Sequence, residues 1–206
     1  MSENACVKAA RSGNLEELKR IANGLENPLE EKHGLNKWVT STAAFEGHFH
    51  VVKWAHEQGC PIDENAFLYA VWGNHIDIMD YLKEYGHQHL TEETCLHSFD
   101  MKDPETEFKT IQWLRRQNPP CPWDAQTFQA AACSGHIPTL EWLRGNGCPW
   151  DKEACSMAAR WGHLHVLKWL RENGCEWDCN VITYAIKYGH GEVEEWAKNN
   201  GCPTPQ

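Results

Sequence analysis

Ten cysteines and twelve histidines stand in a chain of 206 residues. A zinc site, a disulfide framework or a thiol nucleophile would each draw on that supply. Zinc needs four converging ligands, usually as two closely spaced pairs. Cys60, Cys121, Cys148, Cys175 and Cys202 instead share one recurring slot, and the last three are 27 residues apart. Stacked helices lie ~10 Å apart, beyond the ~7 Å a disulfide can bridge, so no bridge between neighbouring slots is expected. Cys6, Cys95 and Cys155 occupy a helix position filled elsewhere by Phe67, Phe128 and Ile182, and read as small packing residues. His48/His50, His87/His89 and His163/His165 are His-x-His pairs, but side chains two apart on a helix do not face each other. A nucleophile, base and orienter must also meet in space. The sequence has no Gly-rich phosphate loop, no G-x-S-x-G and no H-E-x-x-H. No catalytic residue, metal site or cofactor is expected.

Composition narrows the partners. Nineteen basic against 29 acidic residues give a net charge of -10, against a nucleic-acid footprint and against attraction to an anionic membrane. Mean hydropathy is -0.63, and no run approaches the ~18 apolar residues of a spanning helix. Met1-Ser-Glu-Asn-Ala-Cys6 lacks the charged start and apolar stretch of a signal peptide. A soluble, cytoplasmic monomer is expected, touching neither nucleic acid nor membrane.

The elements that must position these side chains form a repeat. Trp142, Trp169 and Trp196 are 27 apart, as are Gly135, Gly162 and Gly189, and Trp123, Trp150 and Trp177, each preceding an aspartate. A fixed period of ~20–50 residues marks a repeat array. Upstream, His48 to His75 and Gly59 to Gly86 keep the step of 27, while Tyr81 to Trp113 is 32 and Gly13 to Gly47 is 34. Seven units result, at 1–34, 35–62, 63–90, 91–123, 124–150, 151–177 and 178–206, with an insertion at Asp100–Glu105 in the fourth. They are expected to form one elongated domain.

Each unit reads as two helices. In 151–174, Asp151 is the N-cap, and Ala154, Cys155, Ala158 and Ala159 make a small-residue face. Gly162-His163 is the turn. Leu164, Val166, Leu167, Trp169 and Leu170 form the second helix's apolar stripe. Gly174 is placed for a left-handed C-cap, and Pro138 suits a first turn. Ser2, Asp63, Thr91, Asp124 and Asp178 are the other expected N-caps. Trp123, Trp150 and Trp177 are expected to staple onto the fourth residue of the adjoining helix. Small residues let first helices approach closely, and stacking buries what one pair leaves exposed. The turn histidines His48, His75, His136, His163 and His190 are expected to tie each turn to its neighbour.

The strings Ala158-Ala-Arg-Trp-Gly-His-Leu-His-Val-Leu-Lys-Trp-Leu170 and Ala9-Ala-Arg-Ser-Gly-Asn-Leu-Glu-Glu-Leu18 resemble ankyrin repeats, over nearly the whole chain. The family's unit is ~33 residues. The shorter step resembles the compact ankyrin-like arrays of giant viruses and of some algae and oomycetes. The resemblance implies an all-α, ankyrin-like helix-pair solenoid with short linkers and little or no β-hairpin. It also implies a protein–protein interaction module with no catalysis of its own. The alternatives beside it are a metal- or redox-responsive Cys/His-rich module and the target-recognition subunit of a degradation complex.

Two residues before each turn vary without a packing rule, as do first-turn residues such as Asn65, Gln126 and Glu153. In the ankyrin family the pre-turn pair lies on the concave face and often contacts partners. Phe45, Trp72, Arg160, Trp161, Lys187 and Tyr188 are the expected partner-binding residues, since aromatics and Arg anchor interfaces. The alternative is that each aromatic covers its neighbour's turn.

Overall fold

Among the described residues, most helices end at the same backbone device, a left-handed residue just after the helix. The computed structural model describes residues 4–24, 34–62, 64–86, 90–99 and 103–205. Among these residues there are fourteen helices and no strand, as the spacing predicts. The chain forms two compact units, the first Met1–Leu90 with Thr110–Leu114, the second Thr91–Lys109 with Arg115–Gln206.

The first unit holds α1 (Ala5–Arg11), α2 (Leu15–Asn23), α3 (Lys37–Phe45), α4 (Phe49–Glu57), α5 (Glu64–Trp72) and α6 (Ile76–Glu84). Helices α1, α3 and α5 pack as a row, each also against the next helix in the chain. The second unit holds α7 (Glu92–Leu96), most of α8 (Pro104–Arg115), α9 (Ala125–Ser134), α10 (Ile137–Gly145), α11 (Glu153–Arg160), α12 (Leu164–Glu172), α13 (Asn180–Tyr188) and α14 (Gly191–Asn199). Here α7, α9, α11 and α13 make the row, and α10, α12 and α14 pack behind it. The contact between neighbouring first helices is the closer one, because Ala43, Ala70, Ala131, Ala158 and Ala185 are fully buried there and leave the backbones room to approach. Leu140, Leu143, Val166, Leu167 and Leu170 fill the layer behind.

The stops are alike. After α11 the chain turns through Gly162 at φ 74°, and the His163 amide donates back to the Ala158 carbonyl at 2.9 Å. After α12 it turns through Gly174, and the Cys175 amide donates to the Leu170 carbonyl at 2.9 Å. These are bonds of the six-to-one kind that close a Schellman motif. In the α5–α6 turn the left-handed residue is Asn74 at φ 60°, one place after Gly73, and asparagine is the usual non-glycine tenant of that region.

Several expected caps are present with small shifts. Thr91 and Asp124 cap α7 and α9, each in a reciprocal box with a threonine. The carboxylates of Asp151 and Asp178 accept from the Glu153 and Asn180 amides at 3.0 and 2.9 Å, although the helical turn closes one residue later. Asn4, Asn14 and Asn36 cap α1, α2 and α3. Ser2 and Asp63 lie outside the described residues. Pro138 sits in the first turn of α10.

The linker tryptophans also bridge neighbouring second helices. Trp123, Trp150 and Trp177 stand edge-on to Trp142, Trp169 and Trp196, with centroids 6.0, 6.4 and 5.8 Å apart. Arg115, Arg144 and Arg171 lie over their rings at 3.7, 4.6 and 4.4 Å. Each indole thus sits between an arginine of one second helix and a tryptophan of the next. Such stacking contributes ~0.5–1 kcal/mol per contact, and it joins second helices whose backbones stay further apart.

Gly162 tests this frame. A Cβ there would sit 2.6 Å from Nδ1 of His190, in a conformation that costs an L-residue roughly 1–2 kcal/mol. Gly162→Ala is expected to lower unfolding free energy by about 2 kcal/mol in urea titration. An unchanged midpoint would show that the turn is not constrained in this way.

Candidate functional site

The residue after most left-handed stops points its side chain at a carbonyl. After the first helix of most repeats that residue is histidine. His48 Nε2 donates to the Arg11 carbonyl at 3.1 Å and His75 to Phe45 at 3.0 Å. In the second unit His163 donates to Cys133 at 2.7 Å and His190 to Arg160 at 2.9 Å. Each imidazole therefore holds the backbone of the pre-turn slot one repeat earlier. His136 differs, because its predecessor carries the insertion. It bonds Thr139 at 2.8 Å and pairs with Glu105 at 3.3 Å. Within the Asp100–Glu105 insertion, residues 100–102 lie outside the described set, and Glu105 is in the first turn of α8.

The His-x-His reading needs correction. The rings of His48 and His50 are 6.0 Å apart, and those of His163 and His165 are 5.7 Å apart. They meet because the first of each pair precedes the helix, so helical geometry does not separate them. His50 and His165 donate to the carbonyls of Gly13 and Gly135 at 3.0 and 2.8 Å. Four imidazole nitrogens are thereby committed to backbone. His87 and His89 lie outside the described residues. No group of three or more His, Cys, Asp or Glu placed to hold a metal occurs among the described residues.

After the second helix the residue is cysteine. Cys60, Cys148, Cys175 and Cys202 donate to the carbonyls of Asn36, Asp124, Asp151 and Asp178 at 3.1, 3.5, 3.2 and 3.3 Å. Cys121 donates to Thr91 at 3.3 Å. Each thiol ties the end of a repeat to the residue opening its own first helix. Burial pushes Cys60 and Cys148 up to about 12 and Cys202 to about 11, so these groups stay protonated donors. All ten cysteines are free thiols. Spacing missed that Cys95 reaches the Cys121 carbonyl of its own repeat, at 3.8 Å. The neighbouring cysteine of the same repeat and burial raise Cys155 and Cys95, which makes them poor nucleophiles.

The histidine ladder leaves the pre-turn side chains displayed. In the first unit Phe45 is half-buried, edge-on to Trp72 at 5.5 Å and to Tyr69 at 6.3 Å. It both packs and lines a hollow of about 310 Å³ with Arg11, Trp38, Ser41 and Thr42 among its walls. Trp72 is 42% and Trp38 49% exposed. Trp38 was not among the expected residues, yet it occupies the same first-turn slot as Asn65, Gln126 and Glu153. In the second unit Trp161 and Tyr188 are 43% and 40% exposed. With Arg160 and His190 they line a hollow of about 300 Å³. Arg160 and Lys187 lie over the Tyr188 ring at 5.2 and 5.5 Å. Burial raises the Cys133 thiol to about 11.

No protein-family model matches the chain, and no curated relative does. Among solved structures it is similar to the human ASB11 ankyrin repeat domain. That similarity has 18% identity over 97% of this chain and 85% of that one, with a TM-score of 0.41. No helix among the described residues is long and apolar enough to cross a membrane.

The ladder carries a pH dependence. Burial holds His163 below the ordinary imidazole value, so the unfolded chain takes up its proton at a higher pH than the folded one. Its contribution is complete above the unfolded value of ~6.5 and is lost as pH falls below it. The urea midpoint is expected to drop between about pH 7.5 and about pH 5.5, and His163→Gln to shrink that drop. An identical drop in the variant would place the titration elsewhere.

Proposed function

We propose that this chain is a protein-binding module without chemistry of its own, and that its pre-turn face contacts the partner. The reading rests on Trp161 and Tyr188. Both stay about two-fifths exposed while the histidine of the next repeat fixes the backbone of the pre-turn slot in that of Trp161. Large aromatics displayed on a rigid frame suit binding, because little ordering cost accompanies association and because aromatics and arginine dominate interface energetics. Arg160 and Lys187 belong to this face in the second unit, and Phe45 and Trp72 occupy the equivalent slots in the first. Trp38 extends it in the first unit.

Catalysis has no counterpart support. The cysteine and histidine side chains that would carry it donate to backbone carbonyls, and the thiols with raised values remain protonated at neutral pH.

Affinity capture with the full chain, and then titration of the captured protein, tests the reading. Trp161→Ala and Trp72→Ala are each expected to weaken binding by ~2 kcal/mol or more, as hot spots do, with little change in melting midpoint. Normal binding by both variants would move the face elsewhere, and unfolding of both would make these aromatics part of the scaffold.

A further inference from the structure

Several cations of the second unit are taken up by the scaffold. Arg115, Arg144 and Arg171 stack on linker tryptophans. Lys152 pairs with Asp178 at 2.8 Å and Lys198 with Glu194 at 2.5 Å. These charges are absorbed by the scaffold. Arg160 and Lys187 are different. Both are exposed, both lie over the one ring of Tyr188, and no ion pair among the described residues involves either. Two like charges held over one ring repel each other, and His190 lines the same hollow. A carboxylate placed there relieves that repulsion and gains charge-assisted hydrogen bonds. In a chain of net charge -10, this concentration of unpaired positive charge is local and contrary to composition.

We infer that the hollow between Trp161 and Tyr188 takes an acidic segment of a partner protein, with a large apolar side chain against the two rings and its carboxylates on Arg160 and Lys187. This rests on the protein-binding reading above and adds the chemistry of the partner. The Arg160 backbone is held by His190 at 2.9 Å, so this side of the site is organised before anything enters it. A nucleic acid would also offer anions and planar groups. The overall negative charge repels a long polyanion, whereas a peptide with a few carboxylates meets only the local cations.

Selection of random twelve-residue peptides on the immobilised full chain tests this. Selected sequences are expected to be enriched in Asp and Glu beside a Trp, Phe or Leu. A synthetic copy of one should bind at least tenfold more weakly to the R160A/K187A double variant and to W161A, and more weakly at high salt. The charge-reversed R160E/K187E variant should select Lys- and Arg-rich peptides. The melting midpoint of each variant is measured alongside, since both cations are exposed and no unfolding is expected. Neutral or basic peptides on the natural chain, or acidic ones indifferent to the double variant, would overturn the inference. If those peptides still lost affinity with W161A, the binding-face reading would survive without it. Binding of a single-stranded oligonucleotide in preference to every selected peptide would overturn it as well. If no peptide is selected and W161A captures the same proteins as the natural chain, both readings fall.

Discussion

The fold depends on the side chain placed directly after each left-handed residue. A helix closed by a Schellman-type stop sends the next side chain off at a fixed angle, because the backbone on both sides is hydrogen-bonded. This protein places histidine after most first-helix stops and cysteine after most second-helix stops. The histidine reaches back a repeat to a pre-turn carbonyl, and the cysteine reaches back to the opening carbonyl of its own repeat. One bond sets the register between helix pairs and the other sets the register within a pair. The glycine and the histidine are then mutually required, since the imidazole of one repeat lies where a Cβ on the previous glycine would be.

With register fixed in this way, the two sides of the array can differ in how they pack. First helices touch closely through alanine, so their contact is shape and dispersion between backbones. Second helices are joined by side chains, an arginine and two tryptophans per step. The indoles of these steps are only half-buried, so they join the helices while keeping one edge at the surface. Cysteine in this frame is a small donor, and burial keeps the proton on the sulfur of Cys60, Cys148 and Cys202. The sulfur content therefore belongs to the architecture.

The frame leaves one thing unconsumed, the pre-turn side chain. The backbone carbonyl of its first residue is engaged by the neighbour's histidine, and arginine, phenylalanine or cysteine stands there without changing that bond. Phe45 shows the intermediate case, engaged by its carbonyl and also packed against the next aromatic. Arg160, Trp161, Lys187 and Tyr188 show the displayed case.

The repeat, the helix pairs, the alanine face and most caps are legible in the chain, because each rests on local periodicity and on residues whose backbone preferences are strong. Gly162, Ala158, Thr91 and Asp124 could be placed from spacing alone. Trp38 was legible too, through its register with Glu153, although its neighbours at that slot are polar. Other contacts exist only in the folded array. His48 and His50 lie side by side because one precedes the helix, which a helical spacing rule does not register. Cys155 meets Cys175 because packing joins two positions distant within one repeat. The linker tryptophans depend on packing most. A staple is a local contact and could be read from the chain, whereas an indole held between an arginine of one repeat and a tryptophan of the next is set by how far apart second helices stand. No spacing along the chain encodes that distance.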